Sequence, residues 1–159
     1  MAAAKVKGTP FQPRYAHLFL VQFDGITVAE FNKCSEIERI IAIINYAQGG
    51  SFYDEKFAGR ISFTNITLEG ALTNNREFTD WFDLAANAAS QSGAPDDEYK
   101  KNFDVVVLDR TRVAVERFRC EGSLPAKDKV GPFSNEGDGA LLMYAFEVAI
   151  TKSSRVKLT

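Results

Sequence analysis

Residues able to carry covalent or metal-centred chemistry are scarce in this chain, and their spacing does not suit it. His17 is the single histidine. Hydrolytic or group-transfer chemistry would need it as a base beside a serine or cysteine nucleophile. It falls instead inside an alternating segment without such a neighbour, which predicts a structural residue in mid-strand. Cys34 and Cys120, the two cysteines, lie too far apart in sequence for a redox pair or for closely spaced zinc ligands, and read as buried reduced thiols. No H-E-x-x-H, P-loop or G-x-G-x-x-G pattern occurs. Gly131 to Gly139 holds Asn135, Glu136 and Asp138 but lacks the spacing and terminal glutamate of a calcium loop. The sequon Asn65-Ile66-Thr67 lies in a predicted strand and is discounted. The expectation is a protein that is not an enzyme and needs no cofactor or metal.

The rest of the composition says what kind of object must be positioned. A chain of 159 residues, 45% hydrophobic and 25% charged, has the make-up of one globular domain. Its 13 Phe against one Trp and two Met supply flat apolar area suited to pleated sheet and to interfaces. A net charge of −2 offers no cationic excess for gripping a phosphate backbone, so no specific nucleic-acid site is expected. Lys5 and Lys7 are followed by Pro10, Gln12, Pro13 and Arg14, which leaves no apolar core of a secretion signal, and no run is long enough for a membrane span.

Residues 1–15 read as an arm, 16–152 as the domain and 153–159 as a tail. Ala16 to Asp24 alternates with both faces largely apolar, Asp24-Gly25 is a tight-turn dipeptide, and Thr27 to Phe31 alternates again as a hairpin partner. Ile37 to Tyr46 is a second long strand, with Glu36 and Glu38 assigned to the face of Ile40, Ala42, Ile44 and Tyr46. Gln48 to Ala58 reads as a polar loop holding Phe52, Tyr53 and Phe57, which either fold back on the core or dock on another subunit. Arg60 to Leu68 is one further strand. Asn74 with Glu77 predicts a capped start to a single helix, whose stripe Phe78, Trp81, Phe82, Ala85 and Ala89 ends before Gly93 and Pro95. Phe103 to Leu108, Arg112 to Arg119 and Ala140 to Thr151 complete about seven strands, with Gly122 to Gly139 as loop. The fold class is mainly β (α+β), an antiparallel β-sandwich or small barrel with one flanking α-helix. Strands apolar on both faces imply either a sheet folded over itself or burial by other subunits, and proline-free strand interiors favour self-assembly.

One segment carries more than its periodicity. Gly59-Arg60, Asn65-Ile66-Thr67-Leu68-Glu69, Leu72-Thr73, Arg76-Glu77 and Trp81 resemble the "PG(R/K)…NITL…GLT…(R/K)ELWDW" run of the tube-protein family of contractile phage tails and related injection systems. Val107-Leu108-Asp109, Pro125, Gly131-Pro132, Ala145-Phe146-Glu147, Phe23-Asp24-Gly25 and Gly49-Gly50 extend the resemblance over about residues 16–152. Gly70-Ala71 and Leu124 depart from the family pattern.

The resemblance implies hexameric rings with a continuous inner β-barrel, stacked into a hollow tube that conducts DNA or effector and pierces an envelope when a sheath contracts. It implies sheath, baseplate or tube-initiator, tail-terminator and tape-measure partners, and DNA or effector as non-specific cargo. The location implied is a virion tail or phage-tail-like particle assembled in the bacterial host cytoplasm. By the same resemblance, Phe52, Tyr53, Asp54, Glu55, Lys56 and Phe57 are ring-stacking candidates. Glu36 and Glu38 are lumen candidates, with the outer surface as the other reading. Arg76, Glu77, Asp80 and Asp83 face the sheath, and Gly59, Asn65, Thr67, Leu72, Thr73 and Trp81 are structural. The alternatives are a tube-initiator or baseplate adaptor of the same fold, and a monomeric ligand-binding β-barrel.

Overall fold

In the computed structural model, which describes residues 13–24, 26–29, 31–90, 99–136 and 139–158, ten strands and one helix follow in order. They are β1 (Phe19–Phe23), β2 (Ile26–Ala29), β3 (Lys33–Cys34), β4 (Arg39–Tyr46), β5 (Glu55–Phe63), β6 (Ile66–Ala71), α1 (Glu77–Ser90), β7 (Lys101–Leu108), β8 (Ala114–Val130), β9 (Met143–Ala149) and β10 (Lys152–Lys157). Most of the expected arm, the turn glycine Gly25, and the helix stop at Gly93 and Pro95 lie outside the described residues.

Eight strands form one antiparallel sheet ordered β2-β1-β7-β8-β9-β6-β3, with β10 also paired to β8. It folds over into two layers because β8 serves both. The first half of β8 pairs with β7 and β10, and the second half with β9. The handover falls at Gly122, whose φ of 66° is a left-handed backbone that glycine adopts without steric penalty. A Cβ there would sit 2.6 Å from Thr151 Oγ1, the hydroxyl that donates to the Gly122 carbonyl at 3.2 Å. Asn102 Oδ1 accepts from the Gly122 amide at 3.1 Å. Gly122→Ala is therefore expected to destabilise the fold by about 1–3 kcal/mol, read as a lowered denaturant midpoint; an unchanged midpoint would contradict the tight corner.

Inward residues of both layers meet in one core: Val21, Phe23, Phe103, Val105 and Cys120 from one, Ile66, Leu68, Tyr144, Phe146 and Val148 from the other. The helix closes it with Phe78 and Trp81. Phe23 is the aromatic hub on one side, 4.8 Å from Phe103, 5.0 Å from Phe78 and 5.5 Å from Trp81 between ring centroids. Phe146 is the hub on the other, 5.4 Å from Phe78 and 5.6 Å from Trp81. Trp81 Nε1 donates to the Tyr99 carbonyl, so its one polar atom is satisfied.

Several predicted elements shift, each for a local reason. His17 lies before β1 in a turn closed by Leu18 N donating to Tyr15 O, exposed and beside the Tyr15 ring rather than in mid-strand. The helix is capped by Asn75, whose Oδ1 accepts from Glu77 N at 3.0 Å, not by Asn74, and its stripe continues to half-buried Ala88 while Ala89 is exposed. The single strand expected over Arg60 to Leu68 is two, broken at Thr64 and Asn65. Much of the loop expected over Gly122 to Gly139 is the second half of β8, its glycine and proline being taken up by the corner and by a register shift between Pro125 and Lys127. The expected tail forms β10, extended by pairing to β8.

Polar side chains hold the first layer. Asp104, 5% exposed, accepts both Arg119 Nη1 contacts at 3.1 Å, and Arg119 Nη2 donates to Asp24 Oδ2 at 3.0 Å. Buried Glu116 takes Arg155 of β10 through two bonds, at 2.6 Å and 3.2 Å. The Arg155 guanidinium's hydrogen bonds hold the Glu116 carboxyl below the usual range, against the opposing effect of desolvation. A depressed folded-state value adds stability above the ordinary glutamate range, about pH 4.3, and that stability is lost as pH falls through the lowered value. The stability deficit of Arg155→Met is accordingly expected at neutral pH and should vanish in acid; a deficit constant from pH 7 to pH 3 would contradict the pairing as its source.

Candidate assembly surface

The expected strand Ile37–Tyr46 is β4, and it does not join the sandwich. It pairs only with β5, as an antiparallel two-stranded ribbon. Residues paired across the strands share a face. Ile41 with Ile61 and Ile43 with Ala58 lie on one side, and Ile44 with Phe57 and Ile40 with Ser62 on the other. All five isoleucines, Phe57 and Tyr46 are exposed. An isolated two-stranded hairpin is marginal in water, and this one carries apolar side chains on both faces. Burying the remaining half of one such side chain is worth about 1 kcal/mol, so the ribbon as a whole offers several kcal/mol to whatever covers it. A surface ion pair offers about 0–1 kcal/mol.

Gly59 makes the pairing possible. Between Ile41↔Ile61 and Ile43↔Ala58 the register shifts, so Gly59 and Arg60 of β5 bulge opposite Ala42. A Cβ on Gly59 would lie 2.9 Å from the Ala42 carbonyl oxygen and 3.3 Å from Ala42 Cβ. The other motif residues are structural in equally specific ways. Asn65 Nδ2 donates to Glu147 Oε1 at 2.8 Å, and Thr67 N donates to Ser35 Oγ at 2.8 Å. Leu72 N donates to Leu142 O at 2.8 Å, with the Leu72 side chain exposed. Thr73 Oγ1 accepts from Asn75 N at 3.3 Å, and Trp81 is core.

The loop expected over Gln48–Ala58 is shorter, because Glu55, Lys56 and Phe57 already pair in β5; Phe52, Tyr53 and Asp54 remain in the connection. Phe52 is fully exposed and Tyr53 nearly so, and neither folds back on its own core. The Ser51 hydroxyl donates to Tyr53 O at 3.0 Å and accepts from Tyr53 N at 3.2 Å, which pins the backbone of the tip. Glu36 and Glu38 are exposed but precede β4, whose pairing begins at Arg39, so strand alternation does not assign them a face. Arg76, Asp80 and Asp83 are exposed at the start of α1, whereas Glu77 is half-buried with Oε2 enclosed.

Nothing in the described residues assembles a reactive centre. Cys34 and Cys120 are free, and burial pushes each thiol up to about 11, which keeps them protonated at neutral pH. Among the described residues no three ligating side chains come together as a metal site, and no helix is long and apolar enough to cross a membrane. An apolar groove of about 430 Å³, lined by Phe19, Ile37, Val105, Val107 and Phe118 among others, opens at the ribbon end of the sandwich. The ribbon remains the most conspicuous unpartnered apolar element.

The family model described as T4-like virus tail tube protein gp19 matches residues 15–153. The chain belongs to that family. Tail tube proteins have a structural role. Its fold is shared with a chain of the anti-feeding prophage (AFP) baseplate structure, at TM-score 0.76 and 17% identity, covering 94% of this chain and 99% of that one. A chain of the PVC extracellular contractile injection system, from its sheath–tube complex in the extended state, aligns at TM-score 0.76 and 16% identity over 92% and 93%. A chain of the AFP tube-terminating cap aligns at TM-score 0.80 and 14% identity over 99% of each. No curated protein matches the sequence.

Proposed function

We propose that copies of this tail tube protein pair through the β4–β5 ribbon into six-membered rings, and that the rings stack as the hollow inner tube of a contractile particle, a phage tail or a phage-tail-like injector. The observation that carries this is a two-stranded ribbon with apolar side chains on both faces and, among the described residues, no further strand on either edge. Neighbouring ribbons supply the missing strand partners, and the accumulated ladder forms the continuous inner barrel. The work is mechanical and needs no turnover. Contraction of a surrounding sheath drives the tube, and DNA or effector passes down a lumen that does not grip it; Glu36 and Glu38 are proposed to face that lumen. The exposed Arg76, Asp80 and Asp83 of α1 are proposed to meet the sheath. Tube initiator, terminator and tape measure complete the assembly, which forms in the bacterial host cytoplasm. The tube domain extends through β10, and residues 1–15 form the arm.

Negative-stain microscopy of the purified chain tests this, with hollow tubes and six-fold end views as the expected result. Rings that never lengthen would favour the tube-initiator role, and monomer alone at micromolar concentration would overturn the proposal.

A further inference from the structure

Four exposed apolar side chains outside the ribbon, Leu72, Val130, Phe133 and Leu141, belong to the far end of the second layer. β3 runs toward the Ile66 end of β6, and the ribbon departs there, with Thr64 N bonded to Glu38 O at 3.3 Å. The opposite end of β6 is Ala71, about 17 Å away at 3.4 Å per residue. At that end, Leu72 N is bonded to Leu142 O, and Gly131 N to Met143 O at 3.1 Å. These bonds bring Leu72, Val130 and Leu141 to one end of the layer, with Phe133 two residues beyond Gly131, as a lip of four exposed apolar residues. Phe133 is 76% exposed and Leu141 73%, in an end-loop that leaves them uncovered by their own chain.

One chain thus carries a ribbon, with its aromatic tip, that departs from one end of this layer and an apolar lip at the other end. We propose that Phe52 and Tyr53 of one copy seat on the Leu72–Val130–Phe133–Leu141 lip of the copy in the next ring, joining rings head to tail. The inference rests on the tube reading above and names the receiving surface within it. The occupant is a second copy for two reasons. The backbone of the tip is pinned by Ser51 and its rings are exposed, which lowers the ordering cost of docking. Opposite charges also stand beside the two surfaces, exposed Asp54 and Glu55 near the tip against exposed Lys129 next to Val130, and exposed Lys56 against exposed Glu136. The two surfaces differ, so the contact is heterologous and propagates without closing.

The full-length chain with Phe133→Glu and Leu141→Glu is expected to form rings but no tubes, with mean particle length reduced at least tenfold, and so is the chain with Phe52→Glu and Tyr53→Glu. Mixed, the two ring populations should give ring pairs and nothing longer, because an intact tip meets an intact lip at one junction only. Long tubes from the lip variant would overturn the proposal, as would a mixture of intact rings that never pairs. Should the double glutamate variant misfold, Phe133→Ser alone carries the test: shorter tubes are expected, and an unchanged length distribution overturns the proposal. An unaltered chain that forms neither rings nor tubes would remove the tube reading itself, and the proposal with it.

Discussion

Ile43→Asp combined with Ile44→Asp is expected to leave a folded monomer that forms neither rings nor tubes. The two residues lie on opposite faces of the ribbon and are each more than half exposed in the single chain, so neither carboxylate is buried when the chain stands alone. Surface substitutions of that kind change stability by about 0.5 kcal/mol or less. In the assembly the same carboxylates would be taken out of water without partners, a penalty of several kcal/mol per group that the ribbon's own apolar gain does not offset. The separation of the two effects is the point: the melting temperature of the monomer should hold while sedimentation velocity shows no species above it. Tubes formed by the double variant would show that the ribbon is not the assembly element. Gly59→Val approaches the same end differently, because its side chain would collide with the Ala42 carbonyl and force the β4–β5 register apart.

The second large effect lies in the core. Phe146→Ala is expected to destabilise the folded chain by about 3–5 kcal/mol, the range for removing a fully buried phenylalanine. Phe146 is wholly buried and packs against Phe78, Trp81 and Tyr144, so its loss opens a cavity between the helix and the second layer at once. On the sheet side the backbone is held by a pairing ladder, β6 with β9 and β9 with β8, that limits how far the site can collapse into the space. Equilibrium urea unfolding measures it; a loss under 1 kcal/mol would mean that the helix is not anchored where the ring contacts put it. By contrast with the ribbon variant, this one should fail to assemble because it fails to fold.

Some of this architecture could be read before any coordinates. The alternation of isoleucines in residues 39–46 marked a strand with two apolar faces, and the spacing of Phe78, Trp81 and Phe82 marked the helix and its buried side. The motif from Gly59 to Trp81 pointed to the family through residues whose contacts prove structural: a bulge, a side-chain bond to Glu147, a helix start and a core indole. Other elements resisted reading. In the second half of β8, the residues between Leu124 and Val130 are Pro, Ala, Lys and Asp, and only pairing to β9 makes this stretch a strand. The polar β10 has no apolar period and is extended because β8 offers it an edge. Asn75 displaced Asn74 as the cap because the hydrogen-bond geometry, not the residue type, chooses between adjacent asparagines.

The ion pairs mark the same boundary. Asp104 and Arg119 stand 15 residues apart, and their bond exists because register sets them opposite one another across β7 and β8. Local sequence determined that this protein is mainly β with one helix, and that residues 39–63 carry more apolar surface than a loop region needs. Only the tertiary structure decided that β4 and β5 pair with each other and not with the strands of the sandwich among the described residues, leaving apolar side chains exposed on both faces, and that the ribbon departs from the end of the second layer opposite the Phe133–Leu141 lip. The reason is physical: alternation reports that a face is apolar, because the side-chain period of a strand is local, whereas what covers that face depends on which distant strands pair with it.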